Sequence, residues 1–487
     1  MVEEDDKRRG TGASIMKPNA SFKPEGVTAM LLLALPALVI VLSIMMWVAA
    51  VSHSGFWADD FFNITHYNRS LGDLSYHDNQ GKYIINAFWA LGTLAFGLGS
   101  VVPFLLLNTL VFAVGVVMWL WIGTRARWGI TEAWWIGGLF LATAAWLPTA
   151  LWSSNIVHSV GFLTLGFALL AHERCIKART VRDSMLWSLA GGAAWTLAVI
   201  SNLLYLGLLV IAAYCAFHQI RKIRELGFNG IRAGVSVGAW SLLLPVVYFL
   251  AIAYPATTAS APYAKDGFQF VRQNLHYYRE LLAPTSILLV LYAIILVLGI
   301  IGGIAAIRRR DWFPIAVLGA AGATAIPALV QGQQRDIHYA AMPLLLTFSA
   351  LAAGAHPVLI SRSKRLIRMR NGLVLIIAFA LIFIFQQGTG IRSFFIQTPY
   401  GGRLTTFRSE IASLTPEGAT ICANLELSTQ NQALLTAEMS GENGFLIPPI
   451  NAARVFLLSE GQRCPAPTSS THIMIKMNPQ GDFIASA

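Results

Sequence analysis

The chain has 487 residues, 55% of them hydrophobic and only 12% charged, against a usual charged share of about 25%. That composition excludes an ordinary soluble domain, and several apolar runs reach the ~20 residues that cross a bilayer, so the chain reads as a polytopic α-helical membrane protein. The formal net charge of +11 would suggest nucleic acid as partner of a soluble protein. Here the basic residues lie in short loops between apolar runs, where the positive-inside rule accounts for them, and no nucleic-acid role is expected.

Residues 1–26 open with MVEEDDKRRG, hold no apolar run and read as a disordered cytoplasmic tail. The run 27–51 is the first span, too long for a cleaved signal peptide. Residues 52–100 form the first external loop. Within it, 82–100 carries Ile84, Phe88, Leu91, Ala95 and Leu98 at helical spacing, which predicts a helix lying in the interface. Further spans are expected at 101–123, 134–151, 156–171, 185–201, 203–218, 233–253, 284–307, 314–330, 341–360 and 373–387. The connecting sequences TRAR, HERCIKARTVRD, RKIRELGFNGIR, RRR and SRSKRLIRMR then all fall on the side of the N-terminus. About eleven spans, with the N-terminus cytoplasmic and the C-terminus outside, satisfy that bias. The transmembrane domain thus covers 27–390. Residues 391–487 turn polar; 419–427, 454–458 and 472–477 read as strands and 402–414 and 429–439 as helices, a small α/β domain outside the membrane.

Polar chemistry concentrates in residues 52–82, which gather Asp59, Asp60, Asp73, Asp78, His53, His66 and His77 just beyond a membrane exit. The adjacent Asp59 and Asp60 lie among Phe56, Trp57, Phe61 and Phe62, aromatics suited to the headgroup level. A carboxylate there can act as general base, and the pair could hold Mg²⁺ or Mn²⁺. An acidic first turn of a helix is the plainer reading of two adjacent aspartates. Two later external loops carry cations. Residues 254–283 place Val271, Leu275, Tyr278 and Leu282 along the apolar stripe of an amphipathic helix and Arg272, His276 and Arg279 along a basic one, either to anchor on anionic headgroups or to cradle a lipid phosphate. The turn QGQQRDIHY sets Arg335 and His338 three residues apart, able to face one cleft. Asn155 and His158, at the start of a span, read first as interhelical hydrogen-bonding groups. No ladder of buried charges or internal repeat marks a transport path.

Cys175 and Cys215 fall in a cytoplasmic loop and a span and read as reduced. Cys422 and Cys464 both fall in the external domain, where a Cys422–Cys464 disulfide is expected. No Cys or His spacing suggests zinc. Two formal N-glycosylation acceptors, Asn63 and Asn68, lie inside the acidic loop; the pattern is short and common, and they read as chance.

The order of these features resembles the GT-C type integral-membrane glycosyltransferases, which use polyprenyl-phosphate sugars on the external face. The resemblance rests on a first span followed by an external loop with an acidic motif, here Trp57-Ala58-Asp59-Asp60, an interfacial helix after it, a later basic external loop and an external C-terminal domain. The stretch from Asp59 to Lys82 looks most like bacterial O-antigen glucosyltransferases. The resemblance implies a GT-C-like fold in the bacterial inner membrane, with the C-terminus periplasmic, and transfer of a sugar to a glycan or lipid-linked acceptor of the cell envelope, such as lipopolysaccharide. It also implies that an acidic residue of this loop is the base or helps hold a metal. Those roles are carried only to Asp59 and Asp60; Arg335, His338, Arg272, Arg279 and His276 rest on their own chemistry as donor-phosphate ligands. An O-antigen polymerase or ligase would place its chemistry in a later large loop, and a lipid or glycan transporter would show intramembrane charges and repeats.

Overall fold

In the computed structural model the apolar runs become fourteen helices among the described residues, which are 26–52, 54, 83–97, 100–225, 231–253, 267–308, 310–330, 337–359, 364–397 and four strands after residue 419. The helices are α1 (Gly26–Ser52), α2 (Tyr83–Phe96), α3 (Val102–Ala126), α4 (Ile130–Ala142), α5 (Leu147–Leu151), α6 (Ile156–Lys177) and α7 (Val181–Ser201). They continue with α8 (Leu209–Glu225), α9 (Ile231–Tyr248), α10 (Gly267–Leu282), α11 (Ser286–Arg308), α12 (Phe313–Val330), α13 (Ala341–Leu359) and α14 (Lys364–Gln397). Short 3-10 turns at Ser153–Asn155, Leu203–Leu208 and Ile337–Ala340 lead into α6, α8 and α13.

Eight segments among the described residues are long and apolar enough to cross a membrane: Leu33–Ser52, Val102–Arg125, Ser153–Lys177, Val181–Ser201, Leu204–Arg221, Ser286–Arg308, Phe313–Val330 and Ile337–His356. Ile130–Ala142, Trp240–Ala251 and Val374–Thr389 are apolar but shorter. Their surface is that of an integral membrane protein. On α11, for example, Ile287, Val290, Val297 and Ile301 are each more than half exposed, a face that water would penalise and lipid would not.

The bundle closes where side chains are small. A Cβ at Gly115 of α3 would collide with the backbone of Phe162 and Leu163 in α6, and one at Gly166 would lie 2.8 Å from the Gly115 carbonyl. Close backbone approach through small residues is how helices associate where lipid removes the hydrophobic drive. Beside that contact Phe112 and Phe162 meet edge-on at 4.9 Å. The entry to α7 is set locally: the Thr180 hydroxyl accepts from the Asp183 amide at 3.1 Å, and Asp183 itself complements the positive end of the helix.

Cross-contacts sort the helix ends into two groups. At one end lie the C-termini of α3, α6, α8 and α13 and the N-termini of α4, α7 and α12; Arg125, Arg174, Lys177 and Arg221 are there, and it is termed the basic end. Arg127 reaches Asp311 (3.7 Å) across it, its guanidinium 4.6 Å from the Phe313 ring centroid. Burial on its own would lower the Arg127 pKa; Tyr214, Asp311, Glu173 and Cys215 around it outweigh that and hold it above the ordinary value. Glu132 in the first turn of α4 meets His356 in the last turn of α13 at 2.6 Å, each placed where its helix dipole favours its charge.

The span expected at 134–151 is interrupted. With 13 residues, α4 is about 20 Å long against a ~30 Å hydrocarbon core. It ends at Ala142, Ala144 takes a positive φ of 57°, and the chain turns through α5 before α6 begins. Such irregular backbone survives at membrane depth only when buried in protein with its polar groups satisfied. Both conditions hold. Arg392 of α14 donates to the carbonyls of Leu141 (2.9 Å) and Ala142 (2.7 Å). Asn108 donates to Thr149 (2.7 Å) and Trp152 (3.0 Å) carbonyls, and Asn155 to that of Pro148 (3.0 Å).

The helix predicted at 82–100 is present as α2, turned from the expected stripe. Ile85, Phe88 and Trp89 are buried while Leu91 is exposed, because Trp89 stacks on Phe104 of α3 at 4.8 Å and Phe88 meets the same ring edge-on. After the helices, β1 (Thr420–Asn424), β2 (Arg454–Leu457), β3 (His472–Met477) and β4 (Phe483–Ser486) form one sheet in the order β2-β1-β3-β4. β1 pairs parallel with β2 and β3, and β4 adds antiparallel to β3. Parallel neighbours require crossover connections; those connections, with the helices expected at 402–414 and 429–439, lie outside the described residues.

Candidate functional site

Opposite the basic end, the starts of α3, α6, α8 and α13 gather with α2, α5 and α10. The buried break before α6 has a consequence here: it delivers Trp152 and then His158 to the centre of this end. The 3-10 turn Ile337–Ala340 delivers His338 and Tyr339 from the other side. His158 and His338 are 5% and 4% exposed, with ring centroids 4.6 Å apart. Tyr339 stacks obliquely on His338 at 4.0 Å and meets His158 edge-on at 5.8 Å. Trp152 closes the far side of His338 at 6.1 Å.

Tyr205, from the Leu203–Leu208 turn, is 2.9 Å from His158 Nδ1 through its hydroxyl. Its ring lies across α6 at Gly161, where any Cβ would collide with it. Glycine at that position is therefore what lets the tyrosine reach the histidine. The arrangement brings together two buried imidazoles, two phenols and an indole: groups that donate hydrogen bonds, move protons and stack on a flat ring. Among the described residues no three His, Cys, Asp or Glu side chains gather to hold a metal.

Of the donor-phosphate residues expected from sequence, His338 lies in this cluster. Arg272, His276 and Arg279 do not: they lie on the exposed face of α10, where His276 pairs with Glu280 at 3.0 Å. The apolar stripe of that helix also differs from expectation, since Leu275 is 51% exposed and Asn274 is the buried residue. Asn274 donates to the Leu329 carbonyl at 2.8 Å, one of the carbonyls left without an intrahelical partner where α12 ends. That bond pins α10 across the end of α12, beside the turn that carries His338. Asp59, Asp60, Arg335 and Cys464 lie outside the described residues, and Cys422 lies in β1.

Sequence reasoning did not join His158 and Tyr205 to the site. The available signal was positional: His158 and His338 each sit within the first turns of an apolar run starting from the same face.

No family profile matches the chain, and no curated protein matches it. Two of the solved structures similar to it are of one protein. One is ArnT from Cupriavidus metallidurans bound to undecaprenyl phosphate, with 15% sequence identity over 80% of this chain and 82% of that chain and a TM-score of 0.46. The other is the same protein in the apo state, with 13% identity, the same coverage and a TM-score of 0.41.

Proposed function

We propose that this chain is a membrane glycosyltransferase that moves a sugar from a polyprenyl-phosphate donor to a glycan or lipid-linked acceptor at the external face. The observation that carries the reading is the His158–His338 cluster. It is buried among helix ends, and the turn that carries His338 begins two residues after Arg335 in the sequence. A sugar on a lipid phosphate already has a good leaving group. The protein needs a base for the acceptor hydroxyl and positive or hydrogen-donating groups for the departing phosphate. In this reading Asp59 is the base, with Asp60 orienting it. Those two carboxylates would hold Mg²⁺ or Mn²⁺ where the reaction uses one. Arg335 and His338 bind the phosphate, and the more exposed Arg272, His276 and Arg279 assist from α10 by attracting the anionic headgroup. Lipid-facing helices hold the polyprenyl tail.

The topology of this proposal counts α4 with α5, α9 and α14 as crossings, giving eleven, with the N-terminus cytoplasmic and the sheet periplasmic in a bacterial inner membrane. A Cys422–Cys464 bridge then forms in an oxidising compartment. Both thiols resist alkylation until a reductant is added; free labelling of both in the folded protein contradicts the bridge and weakens the periplasmic placement.

The test of function is donor class. Purified protein in liposomes is offered one labelled sugar as a polyprenyl phosphate and as a nucleotide. Transfer from the lipid form alone supports the proposal; transfer from the nucleotide form, or from neither with a panel of cell-envelope sugars and acceptors, contradicts it.

A further inference from the structure

We infer that His158 is a second imidazole of the donor-phosphate site, presenting its Nε2–H beside His338, and that Tyr205 is the positioning residue that holds it in that tautomer. The inference rests on the proposed donor class and adds to it two residues that no sequence motif marked.

The Tyr205 hydroxyl has one proton and two acceptors within reach, His158 Nδ1 at 2.9 Å and the His158 carbonyl at 3.3 Å. The carbonyl lies inside α6, where it already accepts the helical hydrogen bond, and it is the more distant of the two. The hydroxyl is therefore best placed to donate to Nδ1, so the neutral ring carries its proton on Nε2. The groups facing that ring are His338 and Tyr339 from the 337–340 turn and Tyr205 from the 203–208 turn. Among the described residues none of these is a carboxylate. Among the described residues, an anion at the edges of the two imidazoles meets hydrogen donors and no carboxylate. Phosphate oxygens bind to such donors through short charge-assisted bonds. The site is also protected from water by Trp152 and by the buried 143–155 segment, which strengthens each bond made there.

The experiment measures binding of undecaprenyl phosphate to the full-length protein in detergent, with inorganic phosphate as competitor, at pH 6 and pH 8. His158→Gln is expected to bind about tenfold more weakly at both, with its unfolding midpoint retained. Tyr205→Phe is expected to bind about threefold more weakly at both pH values, and to cause no further loss when added to His158→Gln. A purely structural role for Tyr205 would weaken binding further in the double variant. Unchanged binding in His158→Gln overturns this inference and leaves the glycosyltransferase reading intact. Wild type that binds no undecaprenyl phosphate contradicts that reading and this inference with it. Should His158→Gln fail to fold, Tyr205→Phe decides: equal affinity to wild type at both pH values overturns the inference. Competition by inorganic phosphate at concentrations equal to the lipid marks a free-phosphate site and overturns the lipid assignment.

Discussion

Each end of the bundle holds a pair of neighbouring histidines, and the two pairs are built differently. At the basic end, His172 Nε2 and His218 Nδ1 are 3.3 Å apart, and Gln219 Nε2 reaches His172 Nδ1 at 3.4 Å. The hydroxyls of Ser188 and Ser241 both donate to Gln219 Oε1 at 3.0 Å. One set of neutral tautomers serves every bond: serine to amide oxygen, amide nitrogen to His172, His172 to His218. That chain ties α6, α7, α8 and α9 together. At the other end, His158 and His338 meet ring to ring among aromatic groups, and the bond that fixes His158 comes from one phenol. A network of side-chain hydrogen bonds that links four helices holds a fold; two imidazoles set among aromatic rings offer groups suited to a ligand. In the proposed function the difference puts structure at the basic end and chemistry at its opposite.

Substitutions can break that comparison. The largest expected effect is at the acidic loop. Asp59→Asn removes the proposed base at nearly constant shape, and turnover is expected to fall about 10²–10⁴-fold with protein amount and donor binding kept. Asp60→Asn is expected to be milder. Full activity in the double variant, assayed with a polyprenyl-phosphate sugar, rules out the role. Next is Arg335→Ala, which removes one charge-assisted phosphate contact. It is expected to raise the donor KM by roughly 10–100-fold, and a KM unchanged in steady-state kinetics places the phosphate elsewhere. Gly161→Ala then sharpens the link between fold and site. The added methyl must displace the Tyr205 ring, at a cost of about 1–3 kcal/mol. Thermal unfolding in detergent should show that loss together with weaker donor binding; a stable, fully active variant would mean Tyr205 is not held there. The smallest effect is on α10: Arg272→Ala and Arg279→Ala, both exposed, are expected to change the donor KM by no more than about threefold. A hundredfold effect would move the phosphate site onto that helix.

Much of this architecture was legible in the chain. Spans such as α11 and α12 are continuous apolar runs bounded by arginines or polar turns, and hydropathy with loop charge places them. The strands at 420–424, 454–457 and 472–477 announce themselves by composition, whereas β4 at 483–486, with FIAS, is too short to stand out. The break at 143–155 was invisible because Ala144, Trp146 and Leu147 are as apolar as a continuous helix. What stops the helix is Pro148 and the remote side chains of Asn108 and Arg392. The site was half legible. His338 stood out as part of a polar turn, but His158 lay inside an apolar run, and only Gly161, by admitting Tyr205, turns it into a positioned group. The stripe on α10 misled for a related reason: Asn274 is polar, and its burial makes sense only once the end of α12 is beside it.

The central claim is that chemistry sits at the His158–His338 end while the His172–His218 end holds the fold. It is tested most directly by two variants measured side by side, His338→Gln and Gln219→Ala. Initial transfer rate per folded protein and thermal midpoint are recorded for both. The account predicts a ten- to hundredfold lower rate with an unchanged midpoint for His338→Gln. For Gln219→Ala it predicts a wild-type rate with stability lower by about 1–3 kcal/mol, the cost of leaving buried polar groups unpaired. A wild-type rate in His338→Gln, or a stable Gln219→Ala variant with its rate lost, would contradict it.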